Sequence, residues 1–241
     1  MMAAGLISGN RTTKGFPAMR FRFCGLAAAH AARTFLALLA ILWGFLMAGT
    51  MAEARTIRIV ALGDSLTAGY QLAGKDAFPS VLEAALKARG HDVVIENAGV
   101  SGDTTTGGLE RLDWSVPDGT DGVILELGAN DALRGLDPAI PEKALDQILT
   151  RLKARNIPVL IAGMYAPRNN GEAYAKAFDA IYPRLARKHG AMLYPFFLDG
   201  IQGDAKLNLA DGIHPNAAGV RVIVERILPT VEAFLKTLAK A

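Results

Sequence analysis

The sequence predicts a three-layer α/β/α sandwich built on a parallel sheet. From Thr56 onward, short runs rich in β-branched residues alternate with helical stretches, which is the pattern of consecutive βαβ units. The strand-like runs lack strict alternation of apolar and polar residues, as expected for a parallel sheet that is covered on both faces. The chain has 241 residues, of which 51% are hydrophobic and 20% charged, and this balance suits a globular domain with a substantial core.

The alternating pattern gives five strands and five helical stretches. We predict strands at Ile57–Leu62, Val93–Asn97, Gly122–Leu127, Pro158–Gly163 and Ala191–Tyr194. We predict helices near Phe78–Arg89, Thr106–Leu112, Pro141–Lys153, Glu172–Lys188 and Ala217–Lys236. Gly90 and Gly190 follow two of these helices, at the position where glycine commonly ends a helix. Pro229 falls inside the last helix, where a proline is able to kink or split it.

Residues 1–54 have the features of an export signal peptide. A basic stretch ends at Arg33, an apolar run covers Phe35 to Ala48, and Ala52-Glu53-Ala54 supplies the small residues that a signal peptidase reads. We expect cleavage after Ala54, which leaves residues 55–241 as one periplasmic or secreted domain. The alternative is an uncleaved membrane anchor, because the uncharged run continues to Ala52 and is just long enough to span a bilayer.

The positive net charge and the single cysteine both belong to this leader. Of the 26 basic and 23 acidic residues, five basic residues and one acidic residue lie in residues 1–54, so residues 55–241 are close to neutral. We therefore expect no nucleic-acid partner, because no basic stripe remains. Cys24 is the only cysteine, which excludes disulfides, thiol catalysis and cysteine-ligated metals from the mature domain.

Residues capable of chemistry follow the predicted strands. Gly63-Asp64-Ser65-Leu66 follows the first strand, Asn97–Asp103 lies at the end of the second, and Gly128–Asp131 follows the third. A fourth segment, Asp211–Asn216, precedes the last helix. Parallel sheets bind ligands at the carboxyl ends of their strands. We therefore expect the four loops to lie on one rim of the sheet.

Ser65, Asp211 and His214 are the candidate nucleophile, orienting acid and base. Asp211 and His214 are three residues apart, so the carboxylate of Asp211 can bend back to Nδ1 of His214 and leave Nε2 free to take the proton of Ser65. Pro215 disfavours helical backbone angles at His214, and Asn216 is suited to cap the last helix, so we expect a rigid loop. The structural alternatives are that Ser65 caps a helix and that the other residues belong to a turn.

Three donors are candidates for an oxyanion hole: the backbone N–H of Ser65, the backbone N–H of Gly102 and the side-chain amide of Asn130. Gly102 has no Cβ, so a substrate oxygen can approach its backbone closely. The amide of Asn130 remains a donor at any working pH. The structural alternatives are a turn glycine and a helix cap. Asp64 is expected to support the site by tying the Ser65 loop to neighbouring backbone.

These four loops together resemble the sequence blocks of the SGNH, or GDSL, hydrolase family. Gly63-Asp64-Ser65-Leu66 matches the nucleophile block, Gly102 the glycine block, Gly128-Ala129-Asn130-Asp131 the Gly-x-Asn-Asp block, and Asp211-Gly212-Ile213-His214 the Asp-x-x-His block. The resemblance is closest to the bacterial branch of periplasmic acyl-CoA thioesterase/lysophospholipases and arylesterases. It implies a flavodoxin-like fold with strand order 2-1-3-4-5, and the triad and oxyanion roles given above. Ala132 departs from this branch, whose members often have glycine there.

The resemblance and the candidate triad predict a serine esterase that cleaves carboxylic ester or thioester bonds through an acyl-enzyme on Ser65. We expect no metal or cofactor, and we expect the substrate to be a small-molecule ester, thioester or lysolipid. Apolar residues near the rim favour a groove for an acyl chain; they are Leu133, Leu136, Ile140, Met164 and Tyr165. The alternatives are a carbohydrate O-deacetylase on the same scaffold and a non-catalytic envelope binding domain.

Overall fold

The computed structural model describes residues 55–238, which contain a five-stranded parallel sheet. The strands are β1 (Ile57–Gly63), β2 (Val93–Gly99), β3 (Gly122–Glu126), β4 (Val159–Ala162) and β5 (Met192–Tyr194). Their order is β2-β1-β3-β4-β5, and every neighbouring pair is parallel. The five predicted strands and the order 2-1-3-4-5 are therefore confirmed.

Helices cover both faces of this sheet. The α-helices of the described residues are α1 (Ser65–Ala68), α2 (Phe78–Ala88), α3 (Thr105–Glu110), α4 (Leu112–Ser115), α5 (Ala129–Leu133), α6 (Ala139–Ala154), α7 (Glu172–Asp179), α8 (Ile181–His189) and α9 (Ala217–Leu238). Short 3₁₀ turns occupy Gly74–Asp76 and Arg168–Asn170. On one face α2 packs against α9, and on the other α6 packs against α3 and α8. This arrangement is the predicted three-layer sandwich.

The hydrophobic pattern of the strands reflects their place in the sheet. Every residue of β3 and β4 is buried, because helices lie on both sides of these central strands. In the edge strand β2, Val93 and Ile95 are buried but Val94, between them, is exposed. The absence of alternation that predicted a covered sheet is therefore a property of the central strands.

The predicted helix Glu172–Lys188 is wrong in one respect, since the structure divides it into α7 and α8. The first of these helices ends at Asp179 and the second begins at Ile181. Pro183 lies in the first turn of α8, a position that proline tolerates well, and its missing N–H leaves the carbonyl of Asp179 without its i+4 donor, which favours a helix start at this point. Pro229 has no such effect, because α9 is continuous through it.

The predicted helix Thr106–Leu112 is also divided, into α3 and α4, at Arg111. The side chain of Arg111 is buried and donates to the carbonyl oxygens of Gly63 and Ala98, both at 2.8 Å. It also donates to Oδ2 of Asp103 at 2.6 Å. Through these bonds a single guanidinium joins the carboxyl ends of β1 and β2 to the loop that follows β2.

The predicted export signal at residues 1–54, with cleavage after Ala54 or retention as an anchor, lies outside the described residues. Within residues 55–238, no helix combines the length and the hydropathy that crossing a membrane requires. The core of this part of the chain is one continuous cluster of buried apolar side chains that includes Phe78, Phe178 and Phe234 from helices on both faces of the sheet. It supports the rim on which the candidate site lies.

Candidate active site

The four loops selected from the sequence come together at the carboxyl ends of β1, β2 and β3. Ser65 is the first residue of α1, directly after β1. Asn130 lies in α5 after β3, and His214 lies in the loop before α9. Because β1 is between β2 and β3, the loops that follow its two neighbours flank Ser65 on either side. The expected common rim is therefore present.

Ser65, His214 and Asp211 form a chain of hydrogen bonds. Nε2 of His214 lies 2.8 Å from Oγ of Ser65, and Nδ1 of His214 lies 2.8 Å from Oδ2 of Asp211. An ionised Asp211 accepts a hydrogen bond from Nδ1–H, and this leaves the lone pair of Nε2 directed at the hydroxyl. Ser65 is 8% exposed, so the hydroxyl is sheltered but still reaches the surface.

Backbone groups hold Asp211 as an anion. Its Oδ1 accepts from the backbone N–H of His214 at 3.0 Å and from that of Ile213 at 2.9 Å. These two hydrogen bonds, assisted by the imidazole of His214, lower the pKa of Asp211 to about 2. Asp211 is therefore ionised throughout the range in which a histidine ordinarily titrates.

The loop that carries His214 is fixed on both sides. The carbonyl oxygen of His214 accepts from the N–H of Leu209 at 2.8 Å, and Asn208 forms an antiparallel bridge with Pro215. Oδ1 of Asn216 accepts two backbone N–H groups in the first turn of α9, at 2.9 and 3.0 Å. The predicted cap at Asn216 is confirmed, and the imidazole is held by a loop of defined geometry.

Tyr70 packs against the imidazole of His214. The two ring centroids are 4.4 Å apart and the ring planes are inclined by 35°. Gly69 permits this contact because it reverses the chain after α1 with φ +82°, where an added Cβ would lie 2.6 Å from Cβ of Ala77. Tyr70 was not among the residues selected from the sequence, because its contact with His214 joins positions 144 residues apart along the chain.

Asp64 is fully buried and connects the Ser65 helix to Asn130. Its Oδ1 accepts from the N–H of Leu66 at 3.0 Å, and its Oδ2 accepts from Nδ2 of Asn130 at 3.1 Å. Burial raises the pKa of Asp64 to about 6, although the bond from Leu66 and the proximity of His214 act in the opposite direction. The expected tie to neighbouring backbone is present, and Asp64 rather than Ser65 caps α1.

The predicted oxyanion donors differ in how far they are engaged. The backbone N–H groups of Ser65 and Gly102 have no acceptor among residues 55–238. Nδ2 of Asn130 donates to the carbonyl oxygen of Asp103 at 2.9 Å as well as to Asp64. Both amide hydrogens of Asn130 therefore already have acceptors, and a substrate oxygen has to share one of them.

Glycine at position 102 is required by backbone conformation. Gly102 has φ +83°, in the left-handed region that side chains rarely adopt, and an added Cβ would meet no atom within 4 Å. Close approach of a substrate oxygen, the reason given from the sequence, stays a prediction. Arg134, which sequence analysis did not single out, donates from Nη2 to the carbonyl oxygen of Gly102 at 2.8 Å and so helps to orient this peptide.

A cavity of about 220 Å³ opens beside Ser65 and His214. Its lining is mostly apolar and includes Leu66, Ala132, Leu133, Met164, Tyr165 and Phe196. Three of the five rim residues proposed for an acyl groove therefore line it, whereas Leu136 and Ile140 do not. The rings of Tyr165 and Phe196 stack with centroids 4.6 Å apart and form one wall of the cavity.

The other two histidines of the described chain pair with carboxylates away from this cavity. Nε2 of His91 lies 3.2 Å from Glu232, and Nε2 of His189 lies 2.6 Å from Asp146. Neither ring contacts Ser65 or Asp211 in the way that His214 does. Between residues 55 and 238, no three His, Cys, Asp or Glu side chains form a group suited to hold a metal ion.

Comparison with protein families assigns this chain to a known group. The model of the GDSL-like Lipase/Acylhydrolase family matches residues 61–222, a span that contains all four loops. The chain belongs to this family. It is therefore an enzyme that hydrolyses ester bonds, and the predicted family and reaction class are confirmed.

Relatives of this GDSL-like hydrolase align over nearly the whole described domain. Esterase TesA of Pseudomonas aeruginosa is 36% identical over 185 residues, which are 76% of this chain and 91% of that protein. Thioesterase 1/protease 1/lysophospholipase L1 of Escherichia coli K12 is 38% identical over 173 residues, which are 71% of this chain and 82% of that protein. The crystal structure of AlinE4, an SGNH-hydrolase family esterase, is 44% identical, with a TM-score of 0.64 over 76% of this chain and 98% of AlinE4.

We expect the low pKa of Asp211 to survive removal of the imidazole. In His214→Ala the two backbone N–H donors remain, and they contribute more to the shift than the ring does. The pKa of Asp211 should therefore rise but stay below the ordinary aspartate value of about 3.9. Titration of the side-chain carboxyl carbon by NMR measures it, with Asp211→Asn assigning the resonance. A midpoint at the ordinary value in the unsubstituted hydrolase would contradict this account.

Proposed function

We propose that this GDSL-like hydrolase acts by acyl transfer, with Ser65 as nucleophile, His214 as general base and Asp211 as the group that orients the base. The observation that supports the proposal most directly is the unbroken chain of 2.8 Å contacts from Asp211 through the imidazole to Oγ of Ser65. A serine hydroxyl needs such a base, because it is a weak nucleophile at neutral pH.

In the first half of the reaction, Oγ of Ser65 attacks the ester carbonyl while Nε2 of His214 removes its proton. The anionic Asp211 stabilises the imidazolium that forms, and it keeps the second proton on Nδ1. The imidazolium then protonates the leaving alcohol or thiol, which leaves an acyl group on Ser65. Water repeats the same steps against this acyl-enzyme and regenerates the free hydroxyl.

The oxyanion formed at each step is bound by the backbone N–H groups of Ser65 and Gly102 and by the amide of Asn130. The two backbone donors have no acceptor within the described protein, so they are free to bind the substrate oxygen. Asn130 contributes by sharing a hydrogen that it now gives to Asp64 or Asp103. Of these two, the bond to Asp64 is the longer, at 3.1 Å, and is the one we assign to this role. Removing a single oxyanion donor typically lowers kcat by about 10²- to 10³-fold.

The acyl part of the substrate occupies the apolar cavity beside Ser65. Leu133, Met164 and Tyr165 supply apolar contacts and no charge. This lining favours acyl esters, thioesters or lysolipids, the substrates that the names of the relatives indicate, over the acetylated sugar of a carbohydrate O-deacetylase.

The enzyme acts outside the cytoplasm after loss of residues 1–54. The basic stretch, the apolar run and the Ala-x-Ala pattern at Ala52–Ala54 support this proposal. Expression of the full chain in a bacterial host, followed by N-terminal sequencing of the protein released by osmotic shock, tests it. We expect the mature chain to begin at Arg55. Recovery of the intact N-terminus in the membrane fraction would instead support an uncleaved anchor.

The variant Ser65→Ala should lose at least 10³-fold in kcat on p-nitrophenyl butyrate, because only substrate binding and oxyanion stabilisation remain. It should also lose labelling by a fluorophosphonate probe. Thermal unfolding of the variant checks that its fold is intact. Ser80→Ala, which removes the hydroxyl of an exposed serine in α2, serves as the matched control. Near wild-type hydrolysis by Ser65→Ala, or absence of labelling in the unsubstituted protein, would contradict the role of Ser65 as nucleophile.

The variant Leu133→Ser should change substrate preference rather than catalysis. Its side chain lines the cavity, so its loss should reduce kcat/KM for octanoyl esters about tenfold and leave that for acetyl esters nearly unchanged. Ile140→Ser is the control, because Ile140 is similarly exposed but lies outside the cavity. A preference of the unsubstituted enzyme for acetyl esters over all longer chains would contradict an acyl-chain groove and favour a deacetylase.

A further inference from the structure

Glu126, the last residue of β3, is a fully buried carboxyl group under the candidate site. Its Oε2 accepts from Oγ1 of Thr67 at 2.8 Å and from the backbone N–H of Asp64 at 3.4 Å. Its Oε1 is equally buried but has no hydrogen-bond partner among the described residues when the carboxyl group is treated only as an acceptor. A buried oxygen in this condition is costly to the fold, unless it carries a proton and donates it.

The neighbour that can accept such a proton is Asp64. Both carboxyl groups are 0% exposed, and neither has an ion pair with Lys or Arg in the described chain. Burial raises the pKa of each, and for Glu126 the charge of Asp64 raises it further. Two buried carboxylates in contact cannot both be charged without a large electrostatic penalty, so the pair holds one proton at neutral pH.

The surrounding hydrogen bonds assign this proton to Glu126. The two oxygens of Asp64 already accept from Leu66 and Asn130, and these donors stabilise the anion. Oε1 of Glu126 receives no donor, so the neutral acid is favoured on that side of the pair. We therefore assign the proton to Glu126, whose oxygen without a donor is Oε1.

The other charged and titratable groups near the pair agree with this assignment. Arg111 is engaged by Asp103, and Tyr182 keeps its proton, which it donates to the carbonyl of Leu127 at 3.0 Å. Asp131 is buried nearby and accepts from the N–H and the hydroxyl of Thr105. His214 is the one group that becomes positive during the reaction, and it favours the anion on Asp64.

We propose that Glu126 is a positioning residue, whose neutral carboxyl group donates from Oε1 to Asp64 and thereby fixes both the start of the Ser65 helix and the amide of Asn130. Asp64 makes one bond to each of these elements, so a shift of its carboxylate displaces both together. The inference rests on the roles proposed above for Ser65 and Asn130.

The donated hydrogen bond also affects the strength of the oxyanion hole. A carboxylate that accepts a hydrogen bond from Glu126 is a weaker acceptor for the amide of Asn130 than one without that bond. The amide hydrogen that Asp64 now accepts is then more easily shared with the substrate oxygen. Because Glu126 is neutral, the pair Asp64–Glu126 carries one negative charge near the developing oxyanion instead of two.

The experiment compares Glu126→Gln with Glu126→Leu. Glutamine keeps an N–H donor towards Asp64 and a carbonyl acceptor for Thr67, so kcat should stay within about threefold. Leucine keeps neither, and kcat should fall about 10²-fold with little change in KM, as expected when reacting groups are displaced. Glu142→Gln, at an exposed ion pair with Arg184, is the control and should leave both constants unchanged.

Infrared spectroscopy tests the proton independently of activity and of whether the leucine variant folds. At neutral pH the unsubstituted enzyme and Ser65→Ala should show the C=O stretch of a buried protonated carboxyl group. This band should disappear in Glu126→Gln, persist in Glu142→Gln and shift in Asp64→Asn, where the acceptor changes.

Three outcomes would overturn the inference: absence of this band in the unsubstituted enzyme, equal loss of kcat in the glutamine and leucine variants, or full kcat in the leucine variant. Failure of the proposed function gives a different result. In that case Ser65→Ala retains activity while the infrared band of Glu126 is unaffected.

Discussion

The position of β1 between β2 and β3 is the constraint on which the site depends. Ser65 begins a helix at the carboxyl end of the central strand, so the loops after both neighbouring strands flank it and deliver Gly102 and Asn130. Arg111 reinforces this arrangement by bonding the ends of β1 and β2 to the loop of Asp103.

A small group of buried polar side chains beneath the rim converts this topology into a defined geometry. Asp64 contacts the nucleophile helix on one side and Asn130 on the other, and Asn130 in turn contacts the loop after β2. The imidazole of His214 is held separately, by Asp211, by its own loop and by the ring of Tyr70. These two parts of the site, the Asp64–Asn130 group and the His214 loop, meet at the hydroxyl of Ser65. Each part is held by its own hydrogen bonds and packing contacts before substrate binds, as preorganised catalysis requires.

The features that the sequence predicts correctly are those formed by residues close together along the chain. Asp211, His214 and Asn216 lie within six residues, and their hydrogen bonds follow from turn and cap preferences that act over that distance. The strands were found because burial on both faces leaves a continuous apolar run. The division between α7 and α8 was missed although Pro183 signals it, because the apolar pattern of the two helices continues across the break.

The sequence by itself determined the fold class, the chemistry of the rim loops and the pairing of Asp211 with His214, since these depend on periodicity and on contacts between near neighbours. Only the tertiary structure decided that Glu126 lies under Asp64, that Arg111 joins two strands, and that both amide hydrogens of Asn130 are engaged. The physical reason is separation along the chain. Glu126 reaches Asp64 and Thr67 across some 60 residues, and no periodicity records such a contact.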